Sequence, residues 1–262
     1  MKRIDKKLTG VQHHTLNKGR YHLRRYYPSE QLSELVEQFW LVNWDLAGEK
    51  SHTQKNLPDP NFHLILDNRT IKLIGPVSKA YSYKMEGTGK IIGIKFELGA
   101  LSGYLDSPLS HYVNKELDIQ ELTNFDVDTF LSEVDDLDCD EQIINTVQTY
   151  LAPFAISPSL ELTRVRKLVN LIKTDLDITR VEHLSDRSNL AIRTIQRSFK
   201  DYVGLSPKWL IRKYRLHQAL ELLERQDVSF LDMVDWLGYT DQSHLIRDFK
   251  EIVGVTPSKY IN

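Results

Sequence analysis

Nine polar side chains near the C-terminal end have the chemistry to grip a nucleic acid. Arg193, Gln196, Arg197 and Lys200 make one group; Gln242, Ser243, His244, Arg247 and Lys250 make a second. Guanidinium and ammonium groups neutralise phosphates, while Gln, Ser, His and Arg can also hydrogen-bond the edges of bases. The two groups lie in segments that echo each other at an offset of 50 residues. Each has a branched apolar residue, an Arg two later, then Phe-Lys: Ile195, Arg197, Phe199-Lys200 and Leu245, Arg247, Phe249-Lys250. The echo continues as Val203-Gly204-Leu205-Ser206-Pro207 and Val253-Gly254-Val255-Thr256-Pro257.

Presenting such groups to a duplex takes a buried first helix, a tight turn, and a second helix with one apolar and one polar face. The second unit supplies all three. Leu231 and Val234 anchor its first helix, Leu237-Gly238-Tyr239 makes the turn, and Thr240 is expected to cap the next helix. Leu245, Phe249 and Ile252 face inward, leaving the polar group outside. In the first unit Ile195, Phe199 and Tyr202 face inward, and Asn189 stands at the turn, where it tolerates a left-handed backbone. The two recognition helices are expected at about 191–202 and 240–251. Pro207 opens a connecting helix of about 18 residues, which spans roughly 27 Å. Successive major-groove faces of B-DNA lie about 34 Å apart, so two helices so spaced can enter adjacent turns of one duplex.

Charge supports this partition. The chain is 262 residues long with a net charge of −2. Residues 1–159 hold 17 Lys+Arg against 22 Asp+Glu, whereas residues 160–262 hold 17 against 14. The basic excess sits with the repeat, as an electrostatic footprint requires. Opposed charges also raise the expectation that the acidic part docks on the basic part and restrains it.

The first 152 residues read as a β-rich domain. Tyr21–Tyr27, Phe39–Trp44, Phe62–Asp67, Thr70–Ile74 and Lys90–Glu97 are strand candidates separated by turn residues, which suggests a barrel or sandwich. A short helix is expected at Ser29–Val36, capped by Ser29. Residues 116–163 contain no Lys or Arg and should hold helices near Val127–Val134 and Glu141–Leu151. The acidic run Asp135–Glu141 reads as a solvated loop and helix start. Residues 153–159, with Pro153 and Pro158, read as a linker, and everything from Leu160 on as helical. Fold class is therefore α+β in two domains: 1–152 (with helices from about 116), then 160–262, all-α.

Gly238-Tyr239-Thr240-Asp241-Gln242-Ser243-His244-Leu245, with Arg247, Phe249-Lys250 and Gly254-Val255-Thr256-Pro257, resembles the DNA-binding domain of the AraC/XylS family of bacterial transcription regulators. The resemblance covers residues 160–262, with Asn189 in place of a turn glycine and Ala191 in place of a Ser cap. It implies that Arg193, Gln196 and Arg197 in the first unit, and Gln242, Ser243, His244 and Arg247 in the second, contact bases or phosphates of double-stranded DNA. Phe39-Trp40, Leu57-Pro58-Asp59, Ile74-Gly75-Pro76 and Gly93-Ile94-Lys95-Phe96 are similar, less specifically, to the cupin-like β domain that precedes this module in one subgroup. The resemblance implies sensing of a small-molecule effector or homodimerisation there, and contact with RNA polymerase as an activator.

Other chemistry finds little support. Nine histidines include no His-x-His pair, so neither a metal nor a cofactor is expected, and no nucleophile elbow or phosphate loop suggests an enzyme. Trp40, Trp44, Tyr81 and Tyr83 read as core, and as the wall of a ligand pocket should the barrel be hollow. The alternative is a cupin-like small-molecule-binding protein or metal enzyme with a helical interaction module. One cysteine, no apolar run of membrane length and no signal peptide point to the cytoplasm.

Overall fold

The computed structural model describes residues 1–4, 19–67, 69–122, 126–225, 232, 234, 237–239 and 241–261. Strands β1 (His22–Tyr26), β2 (Val36–Leu46), β7 (Gly87–Phe96), β4 (His63–Asp67), β5 (Thr70–Ile74) and β8 (Glu116–Leu117) form one antiparallel sheet in that order. β3 (His52–Asn56) and β6 (Tyr81–Met85) pair as a separate ribbon. Strand alternation gives the sheet two apolar faces. Phe39 and Leu41, Leu64 and Leu66, and Ile92, Ile94 and Phe96 point to one face. Helices α1 (Val127–Asp135) and α2 (Asp140–Leu151) cover it with Phe130, Leu131, Val134, Ile143, Ile144, Val147 and Leu151. Val42, Trp44, Leu46 and Ile91 point the other way and pack on Met85 of the ribbon.

Two glycines set that second face. Gly93 lies opposite Trp40 and Gly89 opposite Trp44 across the β2–β7 pair. A Cβ at Gly93 would come within 1.8 Å of the Trp40 indole, and one at Gly89 within 2.1 Å of the Trp44 indole. Both rings therefore lie flat on bare backbone. Trp44 also donates to the Glu86 carbonyl, and Tyr83 packs edge-on against it while donating to Asp67. Trp44 and Tyr83 are thus committed to packing. Trp40 is half-buried against His63, and Tyr81 is 46% exposed.

Three expectations are corrected. The helix over Ser29–Val36 is one 3-10 turn, Glu30–Leu32, without a side-chain cap from Ser29, because Val36 already pairs with Phe96 in the sheet. The ribbon strand His52–Asn56 was not foreseen: its polar sequence lacks a strand's apolar alternation, and pairing with β6 alone makes it extended. The acidic run is not all solvated: Asp140 accepts from Arg24 and from Tyr26, tying α2 to β1.

The C-terminal part is helical: α3 (Leu160–Thr174), α4 (Val181–Ser188), α5 (Ile192–Tyr202), α6 (Pro207–Arg225), α7 (Gln242–Val253) and α8 (Pro257–Ile261). Leu162, Val165, Leu168, Val169 and Ile172 are buried along α3, as their spacing requires. The expected helix at Phe230–Leu237, and with it Leu231, lies largely outside the described residues.

The two parts meet closely. Gly204 ends α5 with φ +85°, and a Cβ there would sit 2.9 Å from the Leu109 carbonyl oxygen. Gly254 ends α7 with φ +81°, and a Cβ there would sit 3.0 Å from that of Ala80. The loops bearing Leu109 and Ala80 are themselves joined: Asn114 donates to the Pro76 carbonyl, and its side chain bonds Ser78. Trp209 of α6 donates to the Ser78 carbonyl at 3.1 Å. On the other flank, Arg166 donates to the Leu98 carbonyl and pairs with Glu34. Among the described residues that is the one ion pair that crosses between the parts. The acidic stretch packs on its own sheet, so opposed net charge is not what joins the halves.

Replacing Gly204 by Ala should therefore both strain the left-handed cap and push on Leu109. We expect Gly204→Ala to lower unfolding free energy by about 1–3 kcal/mol in denaturant titrations; a change below about 0.5 kcal/mol would show that the contact is loose.

Candidate nucleic-acid interface

The two helix-turn-helix units are built alike, turn for turn. α4 ends at Asn189 with φ +54°, and Leu190 N–H returns to the Ser185 carbonyl. In the second unit Gly238 has φ +60°, and Tyr239 N–H returns to the Val234 carbonyl at 2.8 Å. Both are left-handed closures with a six-to-one hydrogen bond, and Asn reaches that conformation at modest cost. The Ser185 hydroxyl adds a bond to the Leu190 carbonyl, bracing the turn that lacks glycine.

The helices that follow differ at their starts. α7 begins at Gln242, and its cap is Asp241, whose carboxylate accepts from His244 N–H at 2.8 Å. This corrects the assignment of the cap to Thr240, which lies outside the described residues; a carboxylate also suits the positive helix end. α5 begins after Ala191, which offers no side-chain cap. Inward faces match: Ile195 and Phe199 in α5, and Leu245, Phe249 and Ile252 in α7, are buried.

The outward faces carry the nine polar residues. Arg193, Gln196, Arg197 and Lys200 are exposed on α5; Gln242, Ser243, Arg247 and Lys250 are exposed on α7. His244 is half-buried, its ring edge-on to Tyr239 and its Nε2 3.8 Å from Asp248. Among the described residues Arg247 bonds only the Ser243 carbonyl. Among the described residues no carboxylate lies within ion-pair distance of Arg193, Arg197, Lys200, Arg247 or Lys250. Two rows of unpaired cations thus stand on helices at either end of α6, whose 19 residues span about 28 Å.

What fixes α7 on α6 was not legible as a pair in the sequence. Arg212 of α6 forms a two-pronged bond to Asp248, Nε at 2.7 Å and NH2 at 2.6 Å, and also reaches Glu251 at 2.7 Å. Asp248 is 8% exposed by its side chain and accepts from the Tyr239 hydroxyl as well. Arg215 stacks over the Tyr239 ring. A charged residue beside Phe249 in an otherwise apolar register was the available signal.

Between α6 and the sheet lies a second polar group. Lys95 bonds Asp59 at 3.0 Å and Glu37 at 3.1 Å, and Asn61 holds the other Glu37 oxygen. Burial alone would lower the Lys95 pKa, but these two carboxylates hold it above the ordinary lysine value. Asp59 is opposed by burial too, yet Lys95 and Lys213 keep it well below the usual carboxylate range. Lys213, on α6, is 4% exposed, and burial pulls its pKa down to about 8 despite Asp59. Burial and the Lys213 charge hold His217 down at about 3, so it is neutral.

Comparison with known proteins follows this division. Residues 24–118 match a family model described as a domain of unknown function, and residues 184–262 match one described as a helix-turn-helix domain. The probable transcription factor PqrA of Proteus vulgaris is 31% identical over 81 residues, covering 31% of this chain and 66% of that protein. The activator RhaS of Escherichia fergusonii is 32% identical over 76 residues, 29% of this chain and 27% of its own. The F1 operon positive regulatory protein of Yersinia pestis is 31% identical over 98 residues, 37% of this chain and 33% of its own. The chain thus spans about two thirds of the first relative and a third or less of the others. Among solved structures, ToxT of Vibrio cholerae covers 92% of this chain and 97% of its own, at 12% identity and a TM-score of 0.42.

Two outcomes follow from the geometry. Asp248→Ala removes the two-pronged bond and leaves the partly buried Arg212 guanidinium with Glu251 alone, so we expect a loss of about 1–3 kcal/mol in unfolding free energy, with faster hydrogen exchange in α7 than in α3; uniform exchange would refute the link. For Lys213 the buried state favours the neutral amine. Its penalty is therefore full below pH 8 and fades as pH rises toward the value of an exposed lysine, about 10.4. The wild-type chain should gain on the order of 2 kcal/mol relative to Lys213→Met between pH 7.5 and pH 10, read as the difference between their stability curves; parallel curves would contradict it.

Proposed function

We propose, on the premise that residues 184–262 are a helix-turn-helix domain of the AraC/XylS type, that the chain is a sequence-specific DNA-binding transcription regulator. The observation that carries this reading is the pair of exposed, unpaired cation rows on α5 and α7, one in each of two turn-matched units. α5 and α7 enter successive major grooves on one side of the duplex. Arg193, Gln196, Ser243 and His244 choose bases, and Arg197, Lys200, Arg247 and Lys250 neutralise phosphates, with Gln242 at the opening turn of α7. The regulator is a binding protein and not an enzyme, and it works in the cytoplasm.

Residues 1–152 form the sensing or dimerising domain, 153–159 the linker, and 160–262 the DNA-binding domain. Two relatives named as a positive regulator and an activator support activation; RNA polymerase as partner is part of the proposal. A small-molecule effector and a homodimer remain part of the proposal. Wild-type protein should select one sequence from genomic fragments, with affinity falling steeply in salt. Arg197→Ala and Arg247→Ala should each weaken that complex by about 1–3 kcal/mol in gel-shift titrations. Unchanged affinity in both variants would remove α5 and α7 as the reading helices.

A further inference from the structure

A cleft of about 400 Å³ runs between the end of α7 and the loop that precedes β6. It is lined by Arg247, Lys250, Glu251 and Gly254 from one side and by Lys79 and Ala80 from the other. Three of those six residues are cations, and they come from both domains. The one carboxylate, Glu251, reaches Arg212 at 2.7 Å, but Arg212 also holds Asp248, so the cleft's own side chains carry three positive charges against one negative. Lys79 is exposed, and among the described residues neither it nor Arg247 nor Lys250 has an ion-pair partner.

Lys79 is not on a loose tether. The Ser78 amide bonds the Asn114 side chain at 2.9 Å, and the Ser78 carbonyl receives the Trp209 indole N–H. On its other side Ala80 abuts Gly254. The backbone on both flanks of Lys79 is therefore fixed against the helical domain. Only the amine is free to reach outward. Like charges brought together at such a place repel one another, and an anion seated among them relieves that repulsion.

We propose that this cleft is a phosphate seat: Lys79, from the β-rich domain, contacts the same DNA backbone as Arg247 and Lys250. The inference rests on the DNA-binding reading above and deepens it. Part of the affinity then comes from outside the helix-turn-helix domain, and only while the two domains are docked. A ligand that loosened the docking would withdraw one phosphate contact without touching either recognition helix.

The test uses the full chain and two duplexes, one selected by the wild-type protein from genomic fragments and one of unrelated sequence. Lys79→Ala should weaken both complexes alike, by about three- to tenfold, and reduce the slope of log affinity against log salt by about one. Lys50→Ala, which removes an equal charge from an exposed position outside the cleft, should leave both quantities near wild type. If Lys79→Ala matches Lys50→Ala, or binds more tightly than wild type, the seat is refuted while DNA binding stands. If the wild-type chain binds neither duplex, the DNA reading falls, and the seat with it.

Discussion

The left-handed backbone at Gly204 and Gly254 is the constraint on which the arrangement depends. Each glycine ends one outward-facing helix, and each is packed so closely that a methyl group would press on a residue of the β-rich domain. A side chain at either place would open the contact, and the helix end would lose the conformation that lets the chain turn away. Because Asn114 and Ser78 join the two receiving loops, both helix ends rest on one platform. Their separation is thus set twice, by the length of α6 and by that platform.

The two units are equal in outline and unequal in how they are held. α5 depends on apolar burial of Ile195, Phe199 and Val203, and its first turn has no side-chain cap. α7 has the Asp241 cap and the Arg212–Asp248 fork, both charged and directional. Charged forks fix orientation more tightly than apolar contact does. α7 is therefore oriented on α6 by charged bonds as well as by apolar contact. α5 offers two arginines and a lysine on its exposed face.

Between the domains, polar groups are accommodated at uneven cost. The Asp59–Lys95–Glu37 cluster is mutually satisfied, and burial there is offset by short ion pairs. Lys213 faces this cluster without a close carboxylate of its own, so its charge is poorly supported.

Much was legible from sequence because local rules sufficed. The 50-residue echo, the apolar spacing in α3 and α7, Asn189 and Gly238 at the turns, and the nine polar residues on two outer faces all follow from helical periodicity and turn chemistry. The strands β2, β4, β5 and β7 were found by alternation and apolar runs. What escaped depends on residues far apart in sequence: the polar ribbon β3–β6, the truncated helix after Ser29, the Arg212–Asp248 fork and the Asp140–Arg24 bond. Sequence alone determined which polar side chains share the face opposite the buried one on each helix, since that needs only the period of a helix. Tertiary structure alone decided where α7 is clamped and that both helix caps share one platform. It also decided that Lys79 and Arg247 line one cleft, because such pairings arise from packing between elements that no local pattern relates.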